Sequence, residues 1–102
     1  MAKKITWSVE AQQDRKDILE YWAHRNKSKV YSRKLDKLFR EAIKIILNHP
    51  GIGRKTDFEN VRAKLVKDYY ILYHGENTIT ILSIWDCRQD SLKLEKKKGF
   101  HK

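Results

Sequence analysis

Few side chains in this 102-residue sequence stand where they could do chemistry. Arg62 and Lys64 alternate with Val61, Ala63 and Leu65, so on a strand both cations share one face. Arg88 closes the longest apolar stretch, and Tyr73 and His74 close the one before it. Arginine and lysine hold phosphate oxygens, and histidine or tyrosine can carry a proton to or from a reacting oxygen. Tyr73 and His74 are adjacent and point to opposite faces of a strand, so only one can enter a given site. The alternation puts Arg62 and Lys64 on the sheet face that helices leave open. Arg62, Lys64, Arg88 and His74 are therefore the candidates for a phosphate-directed site. The plainer reading is that Arg62 and Lys64 are solvated, and that Arg88 pairs with Asp86 or Asp90 at the surface, where such pairs contribute roughly 0–1 kcal/mol.

Other constellations fail on spacing. Gly51-Ile52-Gly53-Arg54-Lys55-Thr56 has the composition of a phosphate loop, but Arg54 stands where glycine must precede Lys-Thr, and the segment follows a helix. His24, His49, His74 and His101 show no His-x-x-x-His spacing and have no cysteines beside them, so no zinc site is expected. Cys87, the single cysteine, reads as a small packed side chain; it allows no internal disulfide. No cofactor and no metal are expected.

These side chains need elements to position them. Ile5 and Trp7 alternate in an opening strand over residues 3–7. Ser8 stands as an N-cap with Glu10 in the first turn, and Ala11, Ile18, Leu19 and Trp22 follow at helical spacing, giving a helix over about residues 8–25. Its apolar stripe is interrupted at Asp14 and Arg15. After a polar turn at 25–28, with Ser28 as a cap, Tyr31, Leu35, Leu38, Phe39, Ala42, Ile45 and Ile46 make a stronger stripe. His49-Pro50-Gly51 ends this second helix, because proline disfavours helical geometry in the residue before it. Residues 50–58 read as a loop.

The period then changes to two, with strands at 61–66, 69–74 and 78–88, and turns at Lys67-Asp68 and Gly75-Glu76-Asn77. The last strand is apolar on both faces over much of its length and should be central. Trp22, Tyr31 and Phe39 are expected between the helices, and Trp85 in the core. The order is β-α-α-β-β-β: an α+β fold with an antiparallel sheet, a helical hairpin packed on one face, and the first strand on an edge. One domain is expected over residues 1–102, with a basic tail from about residue 89 that is either mobile or ordered by a partner. Lys96-Lys97-Lys98 in that tail reads as solvated.

Lys and Arg number 23 against 13 Asp and Glu, a formal charge of +10. A small body so charged calls for an acidic partner, either nucleic acid or an acidic protein. No apolar run is long enough to span a bilayer, and Met1–Trp7 is no signal peptide, so no membrane role and a cytoplasmic location are expected.

Val61-Arg62-Ala63-Lys64-Leu65, then Tyr69-Tyr70-Ile71-Leu72-Tyr73, then Ile79 to Asp90, in this order resemble the RelE/ParE superfamily of bacterial type II toxins. So do Ala11, Ile18, Tyr21 and Trp22 on the first helix, and Pro50-Gly51-Ile52-Gly53 after the second. The resemblance covers nearly the whole chain; no single motif in it is highly specific, but the ordered combination is. It implies a toxin neutralised by a cognate acidic antitoxin that folds along it. The expected seat is a cleft between the helical hairpin and the sheet edge, with Leu and Ile side chains along it. The target is either DNA gyrase, for a ParE-like toxin, or mRNA on the ribosome, for a RelE-like endoribonuclease. Arg54, Arg62, Lys64, Lys67 and Arg88 are the expected target contacts.

Two departures favour the ParE-like branch. Tyr70 occupies the place of an arginine found in many RNA-cleaving relatives, and no tyrosine follows Tyr73; His101 is the only candidate in the tail. The alternative from another class is a nontoxic basic binding module on the same fold.

Overall fold

The computed structural model describes residues 4–88. The elements are β1 (Lys4–Trp7), α1 (Val9–Asn26), α2 (Val30–Asn48), β2 (Arg54–Lys55), β3 (Arg62–Val66), β4 (Tyr69–His74) and β5 (Thr78–Asp86). The α+β fold and the β-α-α-β-β-β order are those expected. The sheet order is β1-β5-β4-β3-β2. β3, β4 and β5 form the antiparallel meander, and β1 adds to β5 in parallel, which makes the sheet mixed. The segment read as a loop at 50–58 contributes a further two-residue strand, β2, against β3. The expected tail, with Asp90, Lys96–Lys98 and His101, lies outside the described residues.

Ser8 caps α1, its hydroxyl accepting from the Ala11 amide at 2.9 Å. Lys27 ends the helix in left-handed geometry, with φ 52°. At α2 the cap position belongs to Lys29 and not Ser28, although the Ser28 hydroxyl accepts from the Val30 amide at 3.2 Å. α2 buries Leu35, Phe39, Ala42, Ile43 and Ile46, while Ile45 turns to solvent. The stripe is thus rotated by a fraction of a turn from the expected one, with Ile43 in place of Ile45.

The helices and one sheet face enclose the main core, to which the sheet gives Val66, Tyr69, Ile71, Tyr73, Ile79, Ile81 and Ile84. A smaller cluster of Ala63, Leu72 and Trp85 includes Phe58, Val61, Tyr70 and Leu82 at its margin. β5 is flanked by β1 and β4 and contributes to both clusters, as its two-sided apolar sequence requires. A register shift places Leu72 opposite Ser83 but Tyr73 opposite Ile81. The extra residue breaks the period of two, which is why Ile81 and Ile84 can share the helix-side core.

β1 covers only the first half of β5, leaving the outer edge of β5 bare beyond Ile81. The start of α1 covers it. The Ser8 amide donates to Ile81 O, the Ser8 hydroxyl donates to Leu82 O, and the Asp14 carboxylate accepts from the Ile84 amide at 3.0 Å and the Ser83 hydroxyl at 2.8 Å. Asp14 interrupts the apolar stripe because it serves a strand edge. Beside it, Arg15 bonds Asp36 of α2 at 2.7 Å and lies over the Trp7 ring.

Candidate functional site

The antiparallel meander divides the expected site residues between the two ends of the sheet. Arg62 stands opposite Tyr73, and Val66 opposite Tyr69. Arg62, Arg54 and His74 therefore gather at one end. Lys67, in the turn after β3, and Arg88, just past β5, belong to the other, where the Cys87 amide donates to Asp68 O. Tyr69 and Tyr73 mark these ends and are four residues apart, about 13 Å along a strand. Lys64 sits midway, opposite Ile71. Arg62 and Arg88 are thus not brought together around one phosphate.

The face of β3 is also the reverse of the one expected. Tyr73 and Ile71 point into the helix-side core, so their partners Arg62 and Lys64 lie on that face. Ala63 and Val61 belong to the smaller cluster opposite. Both parities of β3 carry apolar residues, and it is Val66 that joins the helices. Arg62 and Lys64 are half-buried at the margin of the helix layer.

At the Arg62 end, Tyr73 is the organising residue. It is 1% exposed, yet its hydroxyl donates to Pro50 O at 2.7 Å and accepts from the Gly53 amide at 2.9 Å. Arg62 Nη1 donates to Gly53 O at 2.8 Å. Two side chains of neighbouring strands thus fasten the segment after α2. A Cβ on Gly53 would lie 2.7 Å from the Tyr73 hydroxyl and 3.1 Å from Ala63 O, so the close approach needs glycine. Burial pushes the Tyr73 phenol pKa up, against the lowering effects of the Gly53 amide and Arg62.

An open groove of about 860 Å³ lies here, bounded by Pro50 and Gly51, the segment from Lys55 to Arg62, and the turn from Tyr73 to Glu76. Its charged walls are Lys55, Arg62, Glu59 and Glu76, joined by His74. Pro50, Phe58 and Val61 supply its apolar part. Arg54 is exposed and donates from Nη1 to the Tyr70 hydroxyl at 3.3 Å. Tyr70 is thus a partner for a cation.

At the other end, Arg88 grips Asp86 with two bonds, Nε to Oδ1 at 3.0 Å and Nη2 to Oδ2 at 2.8 Å. Its guanidinium lies 5.1 Å from the Trp22 ring centroid, and Trp22 donates to the Tyr69 hydroxyl at 2.7 Å. Hydrogen bonding from Arg88 holds the Asp86 carboxyl pKa below the usual carboxylate range, and the Asp86 carboxylate in turn pushes the Arg88 pKa up. Burial pushes the Tyr69 phenol up. Trp22 is half-buried and edge-on to Tyr31 at 5.1 Å, so its expected place between the helices extends to the end of the sheet. Next to Arg88, the Cys87 thiol is pushed up by burial and by Asp86 and Asp68, which disfavours the nucleophilic thiolate. Among the described residues no cluster of His, Cys, Asp and Glu could hold a metal ion.

Sequence reasoning missed the fastening role of Tyr73 and Gly53 and the edge role of Asp14. The interrupted stripe of α1 was the one available signal.

A helical hairpin laid on one face of a small mixed sheet, with cations at both sheet ends, defines a compact α+β domain. Residues 5–91 match the ParE toxin of type II toxin-antitoxin system, parDE, and the chain belongs to that family. A solved chain of the chromosomal ParDE TA system from P. aeruginosa has the same fold, with a TM-score of 0.70 over 81% of this chain and 94% of that one, at 18% identity. Comparison with curated proteins gives no match.

Proposed function

We propose that this type II toxin arrests growth by acting on DNA gyrase in the cytoplasm, without cleaving nucleic acid, and is neutralised by a cognate acidic antitoxin. The observation that carries this reading is the division of the cations. Cleavage through a 2′-hydroxyl needs a base, an acid and cations around one phosphate. Arg62 is engaged with the Gly53 carbonyl, and Arg88 with Asp86 at the opposite end of the sheet. Tyr70 gives no charge where many RNA-cleaving relatives have arginine.

The target contacts in this reading are Arg54 and Arg62 at one end, Lys67 and Arg88 at the other, and Lys64 between them. They serve as binding cations and not as a catalytic set. Purified toxin is expected to inhibit supercoiling by gyrase or to accumulate cleaved DNA in its presence, and the antitoxin to reverse the effect. A saturating dose without effect on gyrase, with toxicity intact in cells, would sink the proposal.

One feature favours a second reading, a ribosome-dependent endoribonuclease. Arg62 and His74 line the same groove. In that case induction would produce cuts within codons, read by primer extension, and Arg62→Ala would abolish them in a folded protein.

A further inference from the structure

The outer face of α2 takes no part in the groove or in the Arg88 cluster. Between Arg33 and Lys44 its exposed positions are Arg33, Lys34, Lys37, Arg40, Glu41 and Lys44. All are charged, and five are basic. On a helix, Arg33, Lys37, Arg40 and Lys44 fall within about 60° of one another around the axis, at steps of roughly 4.5–6 Å over about 16 Å. Glu41 lies to one side of this row. Asp36 flanks it on the other, with Oδ1 held by Arg15 at 2.7 Å and Oδ2 3.6 Å from Arg40. Of these cations, Arg40 alone takes part in the ion pairs among the described residues. The inner face is anchored by Leu35, Phe39, Ala42 and Ile46, so the helix that carries the row is held in place.

We infer that this ridge binds the phosphate backbone of duplex DNA. Two features select DNA over an acidic protein. Protein interfaces are depleted of lysine and anchored by apolar side chains, whereas the exposed apolar side chains of α2, Val30 and Ile45, lie beyond the two ends of the row and none lies within it. Protein–DNA interfaces are strongly positive and need no such anchor. A row of about 16 Å also runs alongside roughly five base pairs of a duplex, which carries a charge every 3.4 Å or so per strand along its axis, so the row's four cations face a few of those phosphates. The inference deepens the gyrase reading, because gyrase works on DNA and a toxin with this ridge could engage both. It stands or falls without the enzyme.

The test is binding of the full-length toxin to a labelled random-sequence duplex, followed by anisotropy across a salt series with gyrase absent. Lys37→Gln with Lys44→Gln is compared with Lys4→Gln with Lys16→Gln, two exposed lysines elsewhere, after thermal unfolding shows both proteins folded. Loss of two phosphate contacts should flatten the log–log salt slope by about 1.8 and weaken binding roughly tenfold or more near 0.1 M salt. The control pair should leave the slope where it was. Equal losses in both pairs would assign binding to diffuse charge and overturn the inference. So would an unchanged slope in the α2 pair, or a preference for polyglutamate over duplex. Failure here would leave the supercoiling result untouched, so the two readings fail separately.

Discussion

Tyr73 is the side chain on which most of the groove depends. Its hydroxyl bonds Pro50 O and the Gly53 amide, and Arg62 opposite it bonds Gly53 O. Replacing Tyr73 by Phe keeps the ring in the core and strands a buried amide, a loss of about 1–3 kcal/mol that denaturant midpoints should report. The mutation should also weaken target inhibition, because the segment from Pro50 to Gly53 loses its fastening to the sheet. Titration gives an independent check. The folded-state pKa lies above that of the unfolded chain, so the contribution is full below the ordinary tyrosine pKa of 10.0 and is lost as pH rises through the folded value. A late part of the phenolate absorbance should therefore vanish in Tyr73→Phe, leaving the late part that belongs to Tyr69; loss from the ordinary part of the titration instead would show that Tyr73 is not held up by burial. None of this could be seen in the sequence, where Tyr73 was one of several strand tyrosines. The residue types of the groove were legible there, but the face of Arg62 was not. Val61, Ala63 and Leu65 offer as apolar a side of β3 as Val66 does, and only pairing with Tyr73 decides which side meets the helices.

The elements were more legible than their joints. Helical spacing and the strand period of two arise within short windows, so α1, α2 and the meander could be read directly. Partner edges arise from distant residues, and there the sequence offered only hints. The two-residue β2 has no periodicity to show. The parallel attachment of β1 follows from the return of the chain through α1 and α2, not from the alternation of Ile5 and Trp7. Asp14 belongs to this scale because it joins two elements: it gives the unpaired Ile84 amide of β5 an acceptor from α1. Asp14→Ala should destabilise the fold by about 1–3 kcal/mol and speed hydrogen exchange at Ile84, while Asp14→Asn, which keeps a carbonyl oxygen, should recover part of both. Equal loss in the two variants, with Ile84 exchange unchanged, would mean that Asp14 acts through the helix dipole instead.

At the scale of the whole molecule the charge of +10 is distributed. Residues 1–50 hold 12 basic and 6 acidic side chains, and residues 51–102 hold 11 and 7. The fold turns this even distribution into separate regions: the groove end, the Arg88 end and the α2 ridge. How the cations divide among them was hidden in the sequence, because it depends on strand register and helix rotation. A field spread over the whole surface acts on encounter before any one contact forms, and it is screened within about 10 Å at 0.1 M salt. Association with an acidic antitoxin should therefore slow steeply as salt rises, while dissociation, governed by close contacts, changes far less. Stopped-flow mixing of toxin and antitoxin across a salt series separates the two rates. If the ridge is a DNA surface, neutralising Lys37 and Lys44 should reduce the association rate modestly and leave dissociation unchanged, since the ridge then adds to the field without touching the antitoxin. A large rise in dissociation from that pair would place the antitoxin on α2 itself, and would make the ridge a protein interface in place of a DNA surface.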